Sequence, residues 1–350
     1  MAYISFQPKD FFRARNYTGT GSELTVSNVE FQPDFTWIKN RAAGNHYLYD
    51  SVRGATISVY SNDSSGNLTV AESLKSWNAN GFVLGTESDQ NTSSNTYSHW
   101  NWKAATSSGI TTNGSTTITP SYYRFDATRG TAILVYTGNG TAGAKLAHGL
   151  GVAPEFIMYK KTSGSENWGV YHHNVGTSPT DSAGYKLSLN GTDARNDDNA
   201  FMDDTAPDAT NITLGSSSWL NGSGATYVCY CFVGKKGFSK FHSFTGNGNA
   251  DGPFVYTGFR PAFVFQKVAT QSTGWFATDI TNQGFNGQNY PTGINYGNAE
   301  SATNHLNLFS NGFKYVSTNG SYNYDGQNTI YMAWAENPIV SSNDIPGLAR

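Results

Sequence analysis

Apolar and aromatic residues fall in short runs separated by Gly, Ser, Thr and Asn, and the 3.6-residue period of an amphipathic helix is missing almost everywhere. The segment AESLKSW at 71–77 is the best short helix candidate. Three of the apolar runs share one spelling: PDFTWIK at 33–39, PEFIMYK at 154–160 and PAFVFQK at 261–267. A proline fixes its own φ and biases the preceding residue towards extended backbone, and the aromatic and β-branched residues that follow suit a pleated surface. Each run therefore reads as a strand that starts at a proline.

The copies align beyond these runs. Each opens on an aromatic and a glycine turn, YTGTG at 17–21, YTGNG at 136–140 and FTGNG at 244–248, and Pro33, Pro154 and Pro261 follow 16, 18 and 17 residues later. From the proline the spacing is fixed: Phe at +2 (Phe35, Phe156, Phe263), Lys at +6 (Lys39, Lys160, Lys267) and an aromatic at +14 (Tyr47, Trp168, Trp275). The lysine shares a strand face with the phenylalanine and is expected at the sheet rim, its stem packed and its ammonium in water. The polar turn before the +14 aromatic reads as a hairpin. Each copy closes on a tyrosine and a second aromatic three residues on: Tyr97 and Trp100, Tyr227 and Tyr230, Tyr331 and Trp334. Copies one and three carry Asn80-Gly81 and Asn311-Gly312, the favoured pair for a tight hairpin, where copy two has NITLG at 211–215.

The copies start 119 and 108 residues apart, the size of a β-sandwich domain. The expected fold is all-β, with three tandem antiparallel β-sandwich repeats of jelly-roll or lectin-like kind at 17–105, 133–237 and 238–340. A Ser/Thr-rich linker at 106–132 separates the first two, and the short GKKGFSK joint packs the second close to the third. Residues 341–350 form a tail. Residues 1–16 have no counterpart in the other copies yet carry Tyr3, Ile4, Phe6, Phe11 and Phe12, so they read as an arm buried against a partner or another copy of the chain, with an extra edge strand folded back on the chain's own sandwiches as the competing reading.

Charged residues make up 13% of the chain, about half the usual share, which fits many short strands joined by polar turns. A net charge of −3 with singly scattered basic residues leaves no footprint for a phosphate backbone, so no nucleic acid is expected. No apolar run reaches the roughly 20 residues that span a bilayer, so no membrane insertion is expected either, and the first residues lack the layout of a classical export signal. Cys229 and Cys231 share a strand face and read as free, buried residues.

Candidate chemistry is sparse. The stretch NDDNAFMDD offers Asp197, Asp198, Asp203 and Asp204 as oxygen ligands for Ca2+, without the glycine of an EF-hand loop. His172 and His173 point to opposite faces of a strand and do not chelate together, and His148 sits in a glycine-bracketed turn. No nucleophile-elbow or zincin motif occurs, and paired glycosidase carboxylates meet only in space. The residues that recur are scaffold types, so neither a catalytic residue nor a cofactor is expected. The loops at 283–298 and 319–326 offer Tyr290, Tyr296, Tyr322 and Tyr324 for stacking on sugars.

The unit AHGLGVAPEFIMYKK with the following NWGVYHH resembles repeated modules of tail-fibre-like and other structural proteins of tailed bacteriophages, especially marine ones. The opening MAYISFQPKDFF and the closing YMAWAENPIVSSNDIPGLAR resemble the ends of such virion proteins, so the resemblance covers essentially the whole chain. It implies a non-enzymatic structural protein on the virion surface, made in the host cytoplasm, oligomeric, in contact with other virion proteins and fibre-like in host attachment. Capsid decoration or a head fibre is the alternative, and a glycan-binding module or glycan depolymerase on a lectin-like sandwich a further one. The arm would then be a virion anchor. No catalytic residue is carried over.

Overall fold

The computed structural model describes residues 5–281, 286–287 and 290–337. The chain is all-β, built of antiparallel sheets. In unit 1, Phe35–Asn40 lies between Thr96–Trp102 and His46–Asp50, with Phe12–Thr18 beyond the first and Gly54–Tyr60 beyond the second. Unit 2 repeats that order around Phe156–Lys161, flanked by Thr226–Phe232 and Gly169–His172. Unit 3 repeats it around Pro261–Val268, flanked by Asn328–Ala335 and Trp275–Asp279. Each large sheet faces a small one across its own apolar cluster; in unit 1 this gathers Val26, Ile38, Tyr47, Tyr49, Leu74, Phe82 and Tyr97.

The opposite faces of the three large sheets meet in one central core. Phe35, Trp37, Trp100 and Trp102 of unit 1 pack there with Phe156, Met158, Trp168 and Phe232 of unit 2 and Phe263, Phe265, Trp275 and Trp334 of unit 3. Every pair of units is in ring contact: Phe35 with Tyr230 at 4.4 Å, Phe156 with Phe265 at 6.1 Å, Trp102 with Trp334 at 5.4 Å between centroids. The expectation that each repeat encloses its own Phe(+2) and +14 aromatic is thereby corrected. Phe35, Phe156, Phe263, Trp168 and Trp275 hold the units to one another, Tyr47 alone stays in its own unit's cluster, and the central strands are buried on both faces.

For the described residues the edge-strand reading holds and the arm does not. Phe12–Thr18 pairs with Thr96–Trp102 in the register in which Thr131–Thr137 pairs with Thr226–Phe232 and Ser239–Thr245 with Asn328–Ala335. The repeat therefore begins at Phe12. Phe12 is fully buried in the central core, and half-buried Phe6 and Phe11 pack on it, Phe6 edge-on against Phe238 of unit 3. The chain's own core covers this apolar density, so no partner is required to bury it. Tyr3 and Ile4, and the tail at 341–350, lie outside the described residues.

Three smaller expectations change. The linker contributes Tyr122–Asp126 as an edge strand on Thr131–Thr137. The helix candidate at 71–77 is mostly strand, Leu74–Asn78, in a hairpin with Gly81–Leu84. Asn78 lies opposite Gly81, so the two-residue turn is Ala79-Asn80 and the glycine begins the strand. A Cβ at Gly81 would lie 2.1 Å from the Val26 carbonyl oxygen, and one at Gly312 2.2 Å from that of Val255, so close strand approach explains both glycines. Unit 2 has Asn211 at that position, and its small sheet has two strands, Ala144–Ala147 and Asn211–Leu214, where units 1 and 3 have three.

Candidate functional site

The units meet along three seams of one construction. Lys39 lies opposite His46 and Lys267 opposite Trp275, and the register of Tyr159 with Gly169 puts Trp168 opposite Lys160. Trp168 Nε1 donates to the Tyr60 carbonyl and Trp275 Nε1 to that of Ser188, both at 2.7 Å; His46 Nε2 lies 2.9 Å from the Gly293 carbonyl. Unit 2 thus reaches unit 1, unit 3 reaches unit 2, and unit 1 reaches unit 3, so the contacts close into a ring. The counterpart of the two tryptophans is His46, one residue before Tyr47. Tyr47 faces the other way, into unit 1's own cluster, with its hydroxyl on the Asp89 carboxylate.

The repeated lysines are buried, not at a solvated rim, because the face they share with the phenylalanines is the interior of the ring. Lys160 Nζ donates to the carbonyls of Ser64 and Glu166, Lys267 Nζ to those of Thr192, Gln271 and Thr273, and Lys39 Nζ to those of Asn40 and Gly44. Ser64 and Thr192 belong to the neighbouring unit, and the Gly44 N–H bonds the Gly297 carbonyl of unit 3. Backbone bonds Asn67→Thr162, Arg195→Ala269 and Glu300→Arg41, donor first, repeat around the same ring.

Burial pulls all three lysines down to about 8. A folded value below the unfolded one means that the charged form is disfavoured in the fold, a cost fully present below pH 8 and relieved as pH rises towards the unfolded value. Stability is therefore expected to rise from pH 8 to about 10, by at most about 1.4 kcal/mol per pH unit per lysine. Buried Cys229, whose thiol is pushed up, opposes this above its ordinary range, and the buried tyrosines reverse it above about pH 10. Thermal melts across pH 7–11 check the slope, and Lys160→Met should remove about a third of the lysine contribution. A melting temperature that falls steadily from pH 7 to 9 would contradict it.

A second threefold set was missed in the sequence. Buried Asn91, Asn221 and Asn323 each accept from the amide between the glycines of the opening turn, Thr20, Asn139 and Asn247. Each side-chain amide donates to two carbonyls: Ser22 and Gly85, Thr141 and Gly215, Asn249 and Ser317. The first glycine of each turn packs against backbone, where a Cβ at Gly19, Gly138 or Gly246 would come within 2.6 Å of a carbonyl oxygen. Asparagine six residues before Tyr97 and Tyr227 was the available signal, and copy three hides it with Thr329 in the tyrosine's place. Asn221→Ala leaves one amide and two carbonyls without their partner and is expected to cost about 2–3 kcal/mol in urea unfolding. A cost below about 0.5 kcal/mol would show that water replaces the latch.

The seam between units 3 and 1 joins the units of the first and last described strands without a chain connection between them. Arg13 and Arg15 both bond Glu336 Oε1, Arg41 pairs with Glu300, and Trp100 Nε1 donates to Asp279. At the equivalent place between units 1 and 2, the Tyr230 hydroxyl donates to Asp50, which also holds Arg53.

The other predicted site residues are scattered. Asp198 caps the helix Asn199–Met202 and pairs with Lys186, Asp203 ends that helix in left-handed backbone, and Asp197 is exposed on a short strand. Among the described residues no three His, Cys, Asp or Glu side chains gather around a metal position. His148, His172 and His173 each face a backbone carbonyl, and Cys229 and Cys231 are free and buried with their sulfurs 3.4 Å apart. Tyr322 is buried against Phe276 and His305, which removes it as an exposed sugar contact. Tyr290 and Tyr296 are half-buried, Tyr296 over Gly274 and Gly293; Tyr324 is exposed.

Clefts lie beside the equivalent positions Ser51, His173 and Ile280, the first two lined by residues of two units and the third by unit 3 alone. The largest, about 340 Å3, lies between units 2 and 3 and is lined by Glu155, Lys235, Lys236, Lys240 and His242. Burial raises the Glu155 carboxyl, whose Oε2 accepts from the Gly234 amide. Three lysines line this cleft against the Glu155 carboxyl, with Asp126 also acting on Lys235, so the lining keeps an excess of positive charge suited to an anionic ligand.

A family model described as a domain of unknown function (DUF7483) matches residues 7–338. No curated protein and no solved structure matches the chain.

Proposed function

We propose that this chain, which belongs to the DUF7483 family of unknown function, is a non-enzymatic structural protein on the surface of a tailed-bacteriophage virion, acting in host attachment. The observation that carries the reading is the closed ring. The residues repeated along the chain are spent on the body itself: lysine to carbonyl and ring N–H to carbonyl across the seams, asparagine to glycine turn within each unit. Such a body is built to keep its shape. Each pair of facing sheets is read as one sandwich of lectin-like kind, in line with the resemblance of the repeat to virion modules. The threefold recurrence of the seams also favours a seat on a symmetric assembly, which supports capsid decoration as a second reading. Mass spectrometry of gradient-purified particles, followed by antibody labelling in electron micrographs, tests both. Label on tails supports attachment, label on heads supports decoration, and a protein that stays in the lysate and never sediments with particles overturns the virion reading.

A further inference from the structure

The three units give an internal comparison for the solvent face of the small sheet. Val26, Leu146 and Val255 are buried equivalents, opposite Phe82, Ile212 and Phe313. The residues on either side of each are Thr25 and Ser27 in unit 1, Lys145 and Ala147 in unit 2, but Phe254 and Tyr256 in unit 3. Across the hairpin, Asn78 opposite Gly81 in unit 1 becomes Phe309 opposite Gly312 in unit 3. Phe254, Tyr256 and Phe309 are 48%, 58% and 38% exposed, in a protein that buries most of its large apolar side chains.

These rings adjoin the cationic cleft. Phe254 and Phe309 meet edge to face at 5.9 Å, and Lys240 Nζ stands 5.5 Å over the Tyr256 ring while donating to the Tyr256 carbonyl. Lys240 and the neighbouring Thr257 line the cleft together with Lys235, Lys236 and His242. Three rings are too few for the roughly 800 Å2 that each side of a stable protein interface buries. They suit the C–H faces of successive sugar rings, and the adjoining lysines supply charge complementarity for a polyanion.

We propose that unit 3 binds an acidic polysaccharide, its sugar rings stacked on Phe254, Tyr256 and Phe309 and its anionic groups directed into the lysine-lined cleft between units 2 and 3. This site differs from the tyrosine loops singled out in the sequence and does not depend on where the protein resides. Affinity electrophoresis of the purified full chain in gels containing polygalacturonate, dextran sulfate or neutral dextran tests it. Retardation is expected in one or both acidic gels and not in dextran, weakening as salt rises. The double variant Phe254→Thr/Tyr256→Ser, which installs the residues of unit 1 at exposed positions, should weaken it roughly tenfold without lowering the melting temperature. Lys240→Gln should weaken it several-fold and flatten the salt dependence. The proposal is overturned by no retardation in either acidic gel, by equal retardation in dextran, or by a double variant that is retarded as strongly as the parent. It is likewise overturned if the double variant loses only self-association or capture of a protein partner, which would make the rings a protein contact.

Discussion

Trp334→Ala is expected to cost the whole protein, and not unit 3 alone, about 3–5 kcal/mol, the usual range for truncating a buried large aromatic. The ring of Trp334 packs against Phe12 and Trp102 of unit 1, Phe232 of unit 2, and Phe241 and Phe263 of its own unit. A cavity there withdraws contacts from all three sheets at once. Scanning calorimetry should show one endotherm in the parent and one, at lower temperature, in the variant. A variant with two transitions, one at the parental temperature, would mean that the units melt independently and that the shared core is not cooperative.

Glu336→Ala is expected to cost a similar amount, about 3–5 kcal/mol, because it leaves two guanidinium groups in a seam built for a carboxylate between them. The Glu336 side chain is 5% exposed, Arg13 7% and Arg15 22%, so water screens the pair of arginines poorly. The loss should fall on the only seam where no chain connects the units. Hydrogen exchange at the amides of Phe12–Thr18 should therefore accelerate more than that at Phe156–Lys161. Replacing Arg13, Arg15 and Glu336 together with methionine should recover much of the loss. A single variant whose urea midpoint barely moves would show that Glu30, the exposed second partner of Arg13 within unit 1, is enough to compensate the arginines and that the Glu336 bridge does not hold the seam.

The strands themselves were legible in the sequence. Proline, phenylalanine and lysine at fixed spacing marked the three central strands, and the hairpins that follow them are where the polar turns stood. What hid the architecture is a matter of faces. FTWIK, FIMYK and AFVFQK are nearly continuous apolar runs, the mark of a strand covered on both sides, whereas a sandwich with one solvated face alternates. Taken at face value, those runs required a second layer over each sheet, and the other two units supply it. The lysine was placed on the correct face and the wrong side of the solvent boundary for the same reason.

Two alignments slipped because identity outweighed register. Tyr47 is aromatic and sits one residue from the true counterpart, His46, because the first hairpin is one residue shorter. In copy three, Tyr331 and Trp334 copy the spacing of Tyr97 and Trp100, while the pairing with the central strand makes Thr329 and Met332 their equivalents. The site residues fared worse. Tyr322 shares its loop with exposed Tyr324 and differs from it only in which ring finds Phe276, a contact set by tertiary packing. The aromatic face of Phe254, Tyr256 and Phe309 was visible only once strand pairing fixed which residues point outward.

The central core also sets the order of events on the ribosome. Phe12 and Trp334 belong to one cluster, so that cluster stays incomplete until nearly the last described strand has emerged. Between Phe232 and Trp334 lie roughly one hundred residues, which at 5–20 residues per second take on the order of 5–20 s to make. Throughout that interval two finished sheets present an uncovered wall of Phe35, Trp37, Trp102, Phe156 and Tyr230. The nascent chain is thus most prone to sticking to its neighbours until unit 3 has emerged, and unit 3 acts as the lid of the fold.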